Sequence, residues 1–195
     1  MNKAEKTRQF IIEKTAPIFN VKGYAGTSLN DMLTATGLTK GSIYGNFQNK
    51  DEVALAAFDH NVKQMFGVIK SEMDKQTSVK EKLQVYASVY ENFMGSRFPE
   101  GGCPILNTST EADDTHPTLR KKAADAITSW KNSIATLIKK GIADNEFSAE
   151  LDPEQIAITI VALIEGGIMV SKVTGNLSYR TCIMKSVSKM INDLS

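Results

Sequence analysis

A chain of 195 residues, 42% hydrophobic and 23% charged, has the make-up of a globular protein with enough apolar material for a sizeable core. Its net charge of +1 excludes a polycation that coats nucleic acid along its whole length. The two cysteines, Cys103 and Cys182, fit no metal spacing, and so sparse a cysteine usage points to a cytoplasmic protein with reduced thiols.

The charge is unevenly spread. Residues 1–50 hold seven Lys/Arg against three Asp/Glu, while residues 51–195 hold sixteen against nineteen. The basic excess sits at the N-terminal end, as contact with phosphates requires. The first residues lead into an amphipathic, charged segment and not into a signal-peptide apolar core. No run is expected to approach the ~20 apolar residues of a membrane span, so no membrane partner is expected.

Strand signals are nearly absent and helical periodicity is frequent, so the expected fold is all-α. The first helix is expected over Lys3–Lys22, with Ile12, Ala16 and Phe19 on one face and Gly23 as its left-handed stop. Pro17 should distort it near Glu13. Gly26-Thr27 reads as a linker. Ser28 caps a second helix with Asp31 as reciprocal partner, and Gly37 takes the turn after Thr36. Leu38 points back to the core, and Thr39 caps a third helix of about two turns. Asn49 with Glu52 opens a long helix from Lys50 to about Gln76, expected to join the small N-terminal module rigidly to the rest. Further helices are expected over Val79–Gly95, with Leu83, Tyr86, Val89, Tyr90 and Phe93 on the apolar side, and over Pro104–Asp113. Three more should run from His116-Pro117 to Ala143, from Asp152-Pro153 to Thr174 and from Ser178 to Asn192. This places an N-terminal three-helix module in residues 1–50 and a larger helical body in residues 51–195.

The segment from Ser28 to Phe47 carries the most chemistry. Helix, tight turn and short helix form the outline of a DNA-binding helix-turn-helix. In the short helix Ile43 and Phe47 share one face and should pack against Met32, Leu38 and Phe19. Gly41 and Gly45 fall on the opposite face. Each glycine weakens a helix by about 0.5–1 kcal/mol relative to alanine, which makes sense if the backbone must come close to another surface. A helix in the major groove of double-stranded DNA meets that condition. Lys40 can reach a base edge or a phosphate, Thr39 and Ser42 can donate hydrogen bonds, and Tyr44 offers a ring and a hydroxyl. Thr27 and Lys50 sit at helix starts, where exposed N–H groups favour an anion.

Phe19, Gly23-Tyr24, Thr27-Ser28, Gly37 through Tyr44, Phe47 and Lys50-Asp51-Glu52 together resemble the DNA-binding domain of the TetR family of transcriptional regulators. The detailed likeness covers about a quarter of the chain; beyond it, only length, helical content and the Gly101-Gly102-Cys103-Pro104 segment match. The resemblance implies a homodimer, two recognition helices in successive major grooves, and a C-terminal domain (residues 51–195) that binds a small-molecule effector and dimerises. It also implies repression of transcription, relieved when the effector binds. Ser28 and Asn46 join the candidate DNA contacts on this basis. Asn46 stands where the family often has histidine, and Leu33 and Thr36 replace the small alanines common at the helix crossing.

Two apolar stripes are candidates for the dimer interface: Ile156, Ile160, Leu163, Ile164, Gly167 and Ile168, and then Cys182, Ile183, Val187, Met190 and Ile191. Gly166 and Gly167 would allow close helix approach. Met65, Phe66, Phe93, Met94, Trp130, Ile134 and Met169 are candidates to line the effector pocket, with Cys103 in its glycine-rich loop. Glu111, Asp113, Asp114 and His116 form an acidic cluster that reads as a loop and a helix start; no metal or cofactor is expected. Triad order, phosphate-cradling loop and paired metal ligands are missing, so an enzyme is not expected. The competing reading is an all-helical small-molecule binding protein that retains the helix-turn-helix as a scaffold.

Overall fold

The computed structural model describes residues 2–92 and 97–195. Phe93 and Met94 lie outside the described residues. Regular structure among those described is helical throughout: α1 (Lys3–Gly26), α2 (Leu29–Thr36), α3 (Lys40–Tyr44), α4 (Lys50–Met73), α5 (Val79–Glu91), α6 (Pro104–Ala112), α7 (Pro117–Ala143), α8 (Pro153–Thr174) and α9 (Leu177–Asn192). The chain forms two compact units. One is Met1–Met65 with Ser96–Ala124; the other is Phe66–Gly95 with Asp125–Ser195.

The first unit is organised by its caps. Ser28 and Asp31 form a capping box at the start of α2, and Gly37 ends that helix in the left-handed conformation with φ of 66°. The Thr39 hydroxyl accepts from the Ser42 N–H to start α3. These local devices turn Ile11, Ala16, Phe19, Met32, Ile43, Phe47, Val53, Ala54 and Ala57 into one buried cluster, with Leu38 and Tyr44 packed on its edge. Helix α3 is shorter than expected, at five residues, and Phe47 reaches the core from the turn that follows. Pro17 sits inside α1 without the expected distortion. The one residue of α1 outside helical dihedrals is Gly23, at φ 75° and ψ 177°, and helical structure resumes after it as far as Gly26.

The second unit is built on aromatic and aliphatic burial. Trp130 is almost wholly enclosed; it stacks on Tyr90 at 5.5 Å and meets Phe66 edge-on at 5.9 Å. Ala157, Ile160, Val161, Ile164, Gly167 and Ile168 form the buried stripe of α8, and α9 contributes Met184, Val187 and Ile191. A Cβ on Gly167 would lie 3.3 Å from Ile183 and Met184, so this glycine serves the close packing of α8 on α9 within the chain. Most of the two stripes expected at a dimer interface is therefore interior. The apolar surface that remains lies on another face, with Ile158, Met169, Val173, Leu177 and Tyr179 all exposed. Helix α8 also departs from the expectation on apolar runs: it is 22 residues long, its most apolar stretch of 18 has a mean hydropathy of 1.9, and it is long and apolar enough to cross a membrane by length and composition. It reads that way because the buried stripe and the exposed apolar face lie on one helix.

Candidate nucleic-acid interface

Helix α3 stands on Ile43, which is fully buried, and on the half-buried Tyr44. Its other side carries Thr39, Lys40, Gly41 and Ser42, all exposed. The Thr39 and Ser42 hydroxyls lie 3.0 Å apart, a pair that can turn one donor outward while keeping the cap. No foreign side chain crowds Gly41; the Thr39 hydroxyl, at 3.9 Å, is the nearest atom to a Cβ placed there. A Cβ at Gly45 would meet only backbone of its own turn. The two glycines thus leave a low, open strip of backbone beside Lys40, the shape that close approach to a groove floor needs.

The remaining sequence candidates are placed less uniformly. Ser28 is exposed, but its hydroxyl and N–H both donate to Asp31. Lys22, then Ser28, hold the Asp31 carboxyl well below the usual carboxylate range. Asn46 is half-buried, its amide donating to the Ser42 carbonyl and its own carbonyl accepting from Arg8. The Lys50 ammonium lies over the Tyr24 ring at 4.4 Å. Thr27 departs from expectation: it is fully buried, and its hydroxyl donates to the Gly23 carbonyl at 2.6 Å, so that side chain is withdrawn from the surface.

Several contacts that hold this surface were not foreseen. Arg8 bridges the Asn46 carbonyl and the Glu52 carboxylate at 2.7 and 2.8 Å while covering the Phe47 ring. Glu52 also accepts from the Gln48 N–H, and these contacts, the Gln48 one foremost, lower its pKa. Tyr24 donates its hydroxyl to Asp51 and packs edge-on against His116 at 4.6 Å. The Asp51 bond, then burial, push the Tyr24 hydroxyl up to about 12. The acidic cluster is consumed in the same region. The Glu111 carboxylate accepts from backbone N–H groups of α1, and Asp113 accepts from the Asp114 N–H. His116 accepts from the Leu119 N–H at the start of α7. Among the described residues, no three His, Cys, Asp or Glu side chains converge as a metal site would.

The described pocket candidates are divided between the two units. Met65 and Cys103 are buried in the first unit, sulfur to sulfur at 3.9 Å. Phe66 and Trp130 line a cleft of about 480 Å³ in the second unit with Ile69, Met73, Tyr86 and Leu137. Ile134 is fully buried, and Met169 lies on the exposed apolar face of α8.

A capped helix pair whose second member shows an open, basic-edged face defines a helix-turn-helix DNA-binding protein. Residues 11–57 match the model of the bacterial regulatory proteins of the tetR family, and residues 79–187 match the tetracyclin repressor-like C-terminal domain. A TetR-family transcriptional regulator from Cytophaga hutchinsonii is 51% identical in sequence, with a TM-score of 0.97 over 100% of this chain and 98% of that one. The transcriptional repressor DhaR of a Mycobacterium species is 25% identical over 171 residues, 87% of this chain and 84% of its own length. The fold is shared as well with a cysteine mutant of the TetR-family regulator CifR complexed with a 26-bp double-strand operator DNA. There the TM-score is 0.81 at 18% identity, over 93% of this chain and 94% of that one. This chain belongs to the TetR family and is a helix-turn-helix transcriptional regulator.

Proposed function

We propose that the chain works in the cytoplasm as a homodimeric repressor. It reads a DNA operator with the outer face of α3 and lets go when a small molecule binds residues 51–195. Residues 1–50 supply the DNA-binding domain, and no catalytic step or membrane partner enters. The observation that carries this reading is the outward strip of Thr39, Lys40, Gly41 and Ser42 on a helix whose inner side, at Ile43, is wholly buried. Thr39, Lys40 and Ser42 face base edges and the near phosphates, and the half-buried Tyr44 reaches the DNA only from the rim of the strip. Ser28, Asn46 and Lys50 flank the strip, and the N–H groups at the starts of α2 and α4 favour phosphate. CifR, which shares the fold, is complexed with a 26-bp double-strand operator DNA, and this supports operator binding as the use of the fold.

Dimerisation falls to the face of α8 and α9 that the chain leaves open. Ile158, Met169 and Val173 recur along one side of α8, with Leu177 and Tyr179 beside them at the start of α9. A two-fold pair places two copies of α3 in major grooves ~34–36 Å apart, and an effector that favours a different dimer geometry weakens binding. The cleft lined by Phe66, Trp130, Tyr86 and Met73 is the effector site, its apolar floor edged by Lys70 and Lys82.

Fluorescence anisotropy with a randomised duplex pool and with DNA from upstream of the chain's own coding region tests the reading. Salt-sensitive preference for one palindromic sequence is expected, and charge reversal at Lys40 should abolish it. Binding that shows no sequence preference, or is indifferent to Lys40, would leave the small-molecule carrier as the better description.

A further inference from the structure

Helix α1 is interrupted by Gly23, and the interruption breaks backbone hydrogen bonding that something else must replace. In an unbroken helix the Tyr24 N–H would donate to the Asn20 carbonyl. Here the Tyr24 N–H donates instead to a carboxylate oxygen of Glu111 at 2.7 Å, and the Ala25 N–H donates to the other oxygen at 2.8 Å. The abandoned Asn20 carbonyl accepts from the Asn107 side chain at 3.0 Å. Asn107 and Glu111 stand four residues apart on α6 and so share one face of it. The missing bond of α1 is thus replaced by two side chains of a second helix, one for the acceptor and one for the donor.

The fit leaves little room for alternatives. A Cβ on Gly23 would lie 2.5 Å from the Glu111 carboxylate, and its φ of 75° with ψ of 177° suits glycine alone. The adjoining loop is locked to the same turn. Asn20 donates to the Glu100 and Gly102 carbonyls at 2.6 and 2.9 Å, and a Cβ on Gly101 would meet the Asn20 carbonyl at 3.0 Å. The turn held in this way, Tyr24–Gly26, leads directly into Thr27 and the Ser28 cap of α2.

We propose that Glu111 is a positioning residue for DNA binding, acting with Asn107 as a splint across the break in α1 that fixes where the helix-turn-helix starts. Glu111 touches no DNA. It supplies the N-cap that Gly23, having no side chain, cannot supply, and its negative charge suits the N–H groups of a helix start. The proposal rests on the DNA-binding reading above.

The test compares the wild-type protein with Glu111→Ala, Glu111→Gln and a matched control, Glu146→Ala. Glu146 also accepts from two backbone N–H groups, those of Val79 and Lys80, but in the second unit. Affinity for the selected operator and for a non-specific duplex is measured well below each thermal midpoint, together with amide hydrogen exchange at Tyr24 and Ala25. Glu111→Ala should lose tenfold or more in operator affinity, keep its non-specific affinity within twofold, and exchange faster at Tyr24 and Ala25. Glu111→Gln, which retains one acceptor oxygen, should fall between Glu111→Ala and wild type, and Glu146→Ala should match wild type on DNA. Folded Glu111→Ala or Glu111→Gln with wild-type operator affinity overturns the proposal, as does an equal loss on both DNAs. A wild-type protein that prefers no sequence defeats the DNA-binding reading itself, an outcome separate from either of these.

Discussion

Glu111 in one unit and Glu146 in the other make the same bonds in opposite settings. Glu146 adds its carboxylate to the start of α5, where Ser78 and Glu81 already form a capping box. Glu111 does so at a turn with no capping side chain of its own, near the C-terminal end of a helix. The contrast extends to the units around them. Next to the helix-turn-helix, directional bonds from Arg8, Asn20, Asn107 and Glu111 reach across long stretches of sequence to particular backbone atoms. The other unit has bonds of this kind too, from Gln84 to the Ser188 carbonyl and from Arg180 to the Glu91 carbonyl, but its largest side chains are held by burial, in the aromatic group around Trp130 and the aliphatic contact of α8 with α9. Burial is non-directional and tolerates shifts; a hydrogen bond to one carbonyl does not. A surface that must match DNA benefits from the second kind of restraint. Under the proposed function, a body that takes up a ligand and a partner is better served by the first.

Substitutions can break this contrast from either side. Trp130→Ala should have the largest effect on stability, about 3–5 kcal/mol by denaturant unfolding, because it empties the centre of the aromatic group. If folding survives, operator affinity should change little. Gly23→Ala should cost on the order of 1–3 kcal/mol through backbone strain alone, and it also drives a methyl into Glu111, so its loss of operator affinity should exceed its loss of stability. Gly26→Ala, where the nearest foreign atom to a Cβ is 3.5 Å away on Lys22, is the benign control. Asn20→Ala strips partners from the Glu100 and Gly102 carbonyls and should cost about 1–3 kcal/mol, more than its small side-chain volume would suggest for a site held by burial. Lys40→Ala should leave stability within about 0.5 kcal/mol and lower the slope of log affinity against log salt by about 1.

The smallest effect is one of pH. Tyr24 has its hydroxyl pKa raised from 10.0 to about 12, so its neutral form is favoured in the folded chain. The stabilisation is complete below pH 10 and is lost as pH rises toward 12. Phenolate absorbance should show a late-titrating tyrosine that Tyr24→Phe removes, and alkaline unfolding of that variant should begin at lower pH.

What could be read from the sequence was whatever the chain does to its near neighbours. The Ser28–Asp31 box, the left-handed Gly37 and the Thr39 cap each act within three or four residues, so spacing alone reveals them. Gly23 was legible as a stop, but the resumption of α1 after it was not, because its support comes from Glu111, 87 residues away. Nothing in Glu111-Ala112-Asp113-Asp114 distinguishes a carboxylate that caps another helix from one that faces solvent. Helix α8 misled for a different reason. With apolar residues on both its inner and outer faces, its periodicity does not say which stripe is interior. The pocket candidates fall in both units because large apolar side chains fill cores in both, and size does not separate floor from filling.

The brevity of α3 carries a last consequence. Five residues, one of them glycine and with a second glycine at the C-cap, fall far below the length at which a helix persists unaided in water. Its shape is borrowed from Ile43, Phe47 and the core they enter. A synthetic peptide copying residues 39–47 should be a random coil that reads no sequence. On the proposed DNA contacts, exchanging Lys40 or Ser42 alone should change operator preference, since the inner residues that impose the helix stay untouched.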